Sequence, residues 1–265
     1  MLGDILKDIT VEEFLDRYYL KSPYLQKNGA ETLAHLGTRR VLDALVARPQ
    51  CEVTIVGKGA EWIRESQDPS VRIEELHSEG CCLLLRQVEK HDRGFARLAK
   101  SFRKDLHSPV GIALESTPAG ACGLGWHYDP EELFIVQTEG STELAFRKST
   151  TDPCPMSIDL PGVPHDKNET GPVATCNLER GDWLYLPAGY WRKGEALEDS
   201  VILSVGITAP TTLKIYDFLK QYLLKSLVWR QRLPAFGGGE VEIPGKVLFG
   251  SGAKINETAV DAGFR

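Results

Sequence analysis

His127 and Asp129 stand two residues apart in the segment Gly123-Leu-Gly-Trp-His-Tyr-Asp129. On a strand, or at its edge, that spacing points both side chains to one face. An imidazole and a carboxylate on one face are two of the three ligands of a non-heme iron facial triad, which takes one further imidazole from a distant strand. Alone, the pair is more often a hydrogen-bonded structural couple, so its meaning depends on the elements that hold it.

The chain has 265 residues, the size of one large domain or of one domain with a small appendage. Hydrophobic residues make up 42% and charged residues 26%, which sets aside collagen-like, disordered and coiled-coil classes. Lys and Arg number 31 against 37 Asp and Glu, a net charge of −6, so the whole chain has no basic footprint and no nucleic-acid partner is expected. Met1 to Leu20 carries Asp4, Asp8, Glu12 and Glu13 and lacks a basic stretch leading into an apolar one, unlike a secretory signal. No apolar run approaches the roughly 18 residues that span a bilayer, so no membrane association is expected. Cys51, Cys81, Cys82, Cys122, Cys154 and Cys176 show no CxxC spacing and read as reduced thiols, consistent with a cytoplasmic protein. The Asn-x-Thr sequences at Asn168 and Asn256 are then chance matches.

The N-terminal part, 1–108, reads as helix-rich, with some strands joining the β-rich segment after it. Thr10 and Glu13 form a capping-box pattern ahead of Phe14, Tyr18 and Tyr19, Pro23 interrupts, and a further helix is expected over Thr38–Ala47. Cys51–Ile55 alternates as a strand, Cys81–Leu85 is a short apolar run, and a basic helix lies between Glu89 and Leu106. Over 109–209 short β-type runs succeed one another: Gly111–Glu115, Leu133–Thr138, Glu143–Phe146, Ala174–Leu178, Trp183–Leu186 and Ser200–Ile207. Such spacing belongs to a sandwich or barrel. In 210–265, Leu213–Trp229 reads as an amphipathic helix with an apolar stripe for the barrel or a second subunit, and the Gly-rich tail as loop with one strand at Lys246–Phe249.

Four motifs in order, Gly125-Trp-His-Tyr-Asp129, Leu133-Phe-Ile-Val-Gln-Thr-Glu-Gly140, Glu179-Arg-Gly-Asp-Trp-Leu-Tyr-Leu-Pro-Ala-Gly-Tyr-Trp191 and Glu198-Asp-Ser-Val-Ile-Leu-Ser-Val-Gly206, resemble the JmjC-type cupin family of protein hydroxylases. Phe14-Leu-Asp-Arg-Tyr-Tyr-Leu-Lys-Ser-Pro23 is similar to that family's opening motif, and the nearest branch is the bacterial cupins related to the ribosomal oxygenases. The resemblance implies a mainly β fold with flanking helices, a double-stranded β-helix of the cupin or jelly-roll kind. It implies Fe(II) and 2-oxoglutarate at the barrel mouth, a protein or peptide substrate, and a homodimer formed through the helix after the barrel. His127 and Asp129 match the first two iron ligands, which would be the catalytic centre.

Two positions depart from the family pattern. The third ligand should come after the Pro-x-Gly-x-Trp turn, where this chain has Arg192, a permanent cation with no lone pair to give a metal. His165 or Glu195 are the substitutes at hand. The Lys or Arg that usually anchors 2-oxoglutarate is replaced by Thr142; alternation puts Lys148 on the face of Thr142 and turns Arg147 away. Arg192 itself suits a carboxylate in bidentate geometry. Two functions are open: a 2-oxoglutarate-dependent hydroxylase, or a non-catalytic cupin that has lost its metal and binds an anionic small molecule or peptide through Arg192. Arg192 as a rim residue paired with Glu195 or Glu198 is the plainest account of it. Trp126, Tyr185 and Ser204 are candidate pocket lining, with aromatic core filling the alternative for Trp126, Trp183, Tyr185, Tyr190 and Trp191. Cys81 and Cys82 read as packing. Lys90, Arg93, Arg97, Lys100, Arg103 and Lys104 form a basic stripe that suits either solvent or an acidic partner. Gly57-Lys-Gly59 lacks the P-loop pattern.

Overall fold

The computed structural model describes residues 1–57, 61–68, 70–151, 169–231, 241–243 and 246–249. Along the chain lie α1 (Leu2–Ile5), α2 (Val11–Arg17), β1 (Tyr24–Gln26), α3 (Glu31–Ala34), α4 (Arg39–Val46), β2 (Val53–Val56), β3 (Ile63–Ser66), α5 (Ile73–Ser78) and β4 (Cys82–Leu85). A 3-10 turn at Val88–Lys90 leads into α6 (Arg93–Leu106). The barrel strands come next: β5 (Val110–Thr117), β6 (His127–Tyr128), β7 (Glu132–Glu139), β8 (Ser141–Lys148), β9 (Ala174–Glu179), β10 (Trp183–Leu186), β11 (Tyr190–Ala196) and β12 (Ser200–Ile207). Then come α7 (Thr212–Leu223) and the hairpin β13 (Val241–Ile243) with β14 (Lys246–Phe249).

One eight-stranded antiparallel sheet runs β1-β10-β7-β12-β5-β4-β2-β3, and a four-stranded one runs β6-β11-β8-β9. The chain leaves the first sheet for the second at Gly140, whose φ of +66° puts it in the left-handed region. A Cβ there would run into the Asp199 carbonyl. Leu133, Ile135, Leu144, Leu178, Leu184, Leu186 and Ile202, drawn from both sheets, form the core between them. A larger core joins the outer face of the eight-stranded sheet to the N-terminal helices. One compact unit holds these helices and the barrel strands, and the segment from Pro210 onward belongs to a second.

Local chemistry explains the helices. Thr10 and Thr38 each cap a helix, accepting the backbone N–H of Glu13 at 3.1 Å and of Val41 at 3.3 Å. Phe14 on α2 sits among the rings of Tyr18, Tyr19, Tyr24, Phe134, Trp183 and Tyr185. Phe95, Leu98, Ala99, Phe102 and Leu106 make the buried face of α6.

Several boundaries differ from the sequence reading. Pro23 is followed by strand β1, which takes its place beside β10. Cys51 precedes its strand, and three residues of Arg39–Val46 are buried as that amphipathic helix requires. The helix expected over Leu213–Trp229 ends at Leu223. The strand at Lys246–Phe249 is present, whereas the Gly-rich stretches at 232–240 and 250–265, like Cys154, His165, Asn168 and Asn256, lie outside the described residues.

At the end of β8 one carboxylate gathers several donors. Glu169 accepts from the hydroxyls of Ser149 at 2.7 Å, Thr150 and Thr151 at 2.6 Å, from the Thr150 N–H at 2.6 Å and from Trp191 Nε1 at 2.7 Å. Burial opposes its charge, but these hydrogen bonds hold its carboxyl well below the usual range. Its stabilising contribution is therefore complete above the ordinary carboxylate pKa and lost as pH falls below it. Glu169→Gln is expected to cost about 2–3 kcal/mol at pH 7, because hydrogen bonds to a charged acceptor are lost. Urea unfolding at pH 7 and pH 3.5 checks this; a gap between wild type and variant that fails to shrink at the lower pH contradicts it.

Candidate functional site

The register of two short ladders brings the centre together. β11 pairs with β6 so that Arg192 lies opposite His127, and with β8 so that Arg192 lies opposite Phe146. Opposed residues present their side chains on the same face of the sheet. Asp129 lies just past β6 on the face of His127, and Arg192 Nε donates to its Oδ2 at 2.9 Å. Arg192 is only 9% exposed, so this ion pair belongs to the barrel interior.

The three groups set one another's charge. Burial, and then the Arg192 guanidinium, push His127 down to about 4, so its imidazole is neutral at pH 7. His127 Nδ1 lies 2.9 Å from the Gly125 carbonyl, which only accepts; Nδ1 therefore carries the hydrogen and Nε2 the lone pair. Nε2 is buried and has no hydrogen-bond partner among the described residues. Burial opposes the charge of Asp129, but Arg192 beside it holds the carboxyl below its usual range. Asp129 in turn keeps Arg192 protonated against its own burial.

Two cavities meet at Arg192. The larger, about 750 Å³, is walled by Ala113, Glu115, Asp129, Glu131 and Ser204 and reaches out to Arg86. Burial, and then Asp129, raise the Glu131 carboxyl above its usual value. The smaller, about 10 Å³, lies among His127, Thr142, Ser200 and Glu115. It has room for about one water.

Of the residues singled out in the sequence, His127, Asp129 and Arg192 converge, and Ser204 lines the larger cavity. Thr142 faces the smaller cavity, buried, with its hydroxyl 3.2 Å from that of Ser200. Lys148 keeps the face of Thr142 and Phe146 in the register, but it is exposed as the last residue of β8 and lines neither cavity. Trp126 alternates to the other face, where the Arg147 guanidinium lies 4.9 Å from its ring, as expected of an Arg147 turned away from the interior. Tyr185 is not pocket lining: it belongs to the main core and donates its hydroxyl to Glu132. Glu195 is exposed and lines neither cavity, and the rim pairing of Arg192 with Glu195 or Glu198 gives way to the interior pair with Asp129. Glu115 and Glu131 were missed; alternation from Ala113 would have placed Glu115 inward.

The donor set does not fit a divalent ion as it stands. His127 offers one lone pair, and the Asp129 carboxylate is held by the Arg192 guanidinium. Among the described residues no group of three His, Cys, Asp or Glu side chains is placed to hold a metal. A fixed protein cation, Arg192, sits against one of the two candidate ligands and opposes the approach of a second positive charge.

Residues 84–215, which hold β5–β12 and the HxD pair, match the model of the JmjC domain, so this stretch of the chain is a JmjC domain. It is 27% identical over 226 residues to the bifunctional lysine-specific demethylase and histidyl-hydroxylase NO66 of Dictyostelium discoideum, covering 80% of this chain and 43% of the relative. It is 26% identical over 218 residues to the ribosomal protein uL16 3-hydroxylase of Escherichia coli, covering 80% and 56%. The chain thus spans about half the length of these relatives. Its fold is that of YcfD, a ribosomal oxygenase from Escherichia coli solved with cobalt and 2-oxoglutarate, with a TM-score of 0.64 at 21% identity over 91% of this chain and 63% of that one.

Proposed function

We propose that this chain is a diverged relative of the Fe(II)/2-oxoglutarate protein hydroxylases, a JmjC cupin that binds a carboxylate group of a peptide or small molecule with Arg192 as its resident cation. The observation that carries this reading is the buried 2.9 Å bond from Arg192 Nε to Asp129. That bond uses one edge of the guanidinium, and no described residue accepts from Nη1 or Nη2. Two parallel N–H donors at the wall of a cavity suit a carboxylate. Thr142, buried against Ser200, supplies no anchoring charge, and Arg192 lines the same small cavity.

A second reading, a working hydroxylase that takes Fe(II) and 2-oxoglutarate, is favoured by the lone pair on His127 Nε2, buried and unpartnered as a retained ligand would be. It is supported by the hydroxylases among the relatives. It needs a third donor, for which His165 lies outside the described residues, and release of Asp129 from Arg192.

Thermal unfolding with succinate or 2-oxoglutarate in the presence of a chelator separates the two. The first reading expects the midpoint to rise by about 3–6 °C at ten times Kd and the rise to vanish in Arg192→Met. Stabilisation that appears only with added Fe(II) supports the second reading and overturns the first.

The class reading extends to surroundings. A protein partner is supported by the relatives' names, and a homodimer by α7, on which Phe218 is 69% and Tyr222 66% exposed. Among the described residues no helix is long and apolar enough to cross a membrane. A cytoplasmic location accords with the cysteines, five of which are described and free.

A further inference from the structure

Arg93, Arg97, Lys100 and Lys104 succeed one another along α6 at intervals of four, three and four residues. At about 100° per residue they fall within a strip about 60° wide and about 16 Å long, opposite the buried Phe95, Leu98, Ala99 and Phe102. Arg86 and Lys90 precede the helix and Arg103 flanks the strip, and all seven cations are exposed. None has an ion-pair partner among the described residues.

The nearby acids are already committed. Glu89 accepts from the Ile112 N–H at 2.9 Å, Asp92 caps the helix through Gly94 N–H at 2.7 Å, and Asp105 accepts from Leu2 N–H at 2.9 Å and pairs with the N-terminus at 3.1 Å. Like charges three and four residues apart destabilise a helix, and no ion pair among the described residues offsets them here. In a chain of net charge −6 this face is the opposite of the whole. The strip also leads somewhere: Arg86, Arg103 and His107 line the 750 Å³ cavity together with Arg192.

We propose that this strip docks an acidic segment of a polypeptide partner and carries it to the cavity mouth. The mouth end of the path rests on the carboxylate-binding reading above; the strip itself does not. A polypeptide is favoured over a nucleic acid because the cavity wall has no Phe, Tyr or Trp on which bases would stack.

The test is fluorescence anisotropy of a labelled twelve-residue oligoglutamate with the full chain, beside an oligouridylate of equal length. The peptide is expected to bind at 20 mM salt, to weaken about fivefold or more at 200 mM as exposed charges are screened, and to bind more tightly than the oligouridylate. Reversing Arg93, Arg97 and Lys100 to Glu is expected to weaken it at least tenfold, and the triple Gln variant to fall between. None of these three residues lines the cavity, so the variants should keep the succinate-induced rise in melting midpoint. Absence of peptide binding at low salt, an unchanged affinity in both triple variants, or tighter binding of the oligouridylate overturns the proposal. Peptide binding without any succinate effect would instead overturn only the cavity reading.

Discussion

Changing Arg192 to histidine is expected to give the chain a metal site it does not otherwise have. The substitution supplies an imidazole opposite His127 in the β6–β11 ladder and frees the Asp129 carboxylate, completing two imidazoles and one carboxylate on one barrel face. Under anaerobic titration with Fe(II) or Co(II), the variant should bind one equivalent at least about 100-fold more tightly than wild type, or about 2.7 kcal/mol. Electrostatics acts in the same direction, because the guanidinium removed is a positive charge bonded to one of the two candidate ligands. Equal uptake by the two proteins would mean that Arg192 does not govern the centre.

Asp129→Asn is expected to be among the most destabilising single changes in the barrel. It leaves the Arg192 guanidinium buried and facing a neutral amide, and breaking a buried ion pair from one side costs about 3–5 kcal/mol. The Asp129 side chain is 31% exposed, so water relieves part of this and the lower end, about 3 kcal/mol, is the expected value. Replacing both partners together, Asp129→Leu with Arg192→Met, should recover most of the loss, since neither charge is then stranded. Urea unfolding of the two variants beside wild type checks this. A loss below about 1 kcal/mol in Asp129→Asn would place the pair in solvent rather than in the interior.

Much of this centre was legible in the chain, because its signals are local. The HxD spacing fixes which face His127 and Asp129 share, and the Pro-Ala-Gly-Tyr-Trp turn before Arg192 marks where the next inward residue falls. What Arg192 touches was not legible. Its pairing with Asp129, in place of Glu195 or Glu198, comes from the register of β11 against β6, a contact across more than sixty residues that no local pattern encodes. β1 was hidden for a similar reason: three residues after Pro23 carry no periodicity, and only the ladder with β10 makes Tyr24–Gln26 a strand. Tyr185 shows the limit of reading pocket walls from aromatic residues, since its ring is drawn into the core by Phe14 and Phe134 and its hydroxyl by Glu132. Nearly continuous apolar runs, buried on both faces, fared better, and Trp183–Leu186 and Ser200–Ile207 have the expected bounds.

The central claim is that Arg192, and not a metal ion, is the cation of the site. Its most direct measurement is anaerobic calorimetric titration of the wild-type chain with Fe(II), with and without 2-oxoglutarate. The account predicts no saturable metal binding in the micromolar range under either condition, with the fold intact. One equivalent of Fe(II) bound by wild type and lost on changing His127 to Ala would contradict it, and would return the site to iron chemistry with a third donor yet to be located.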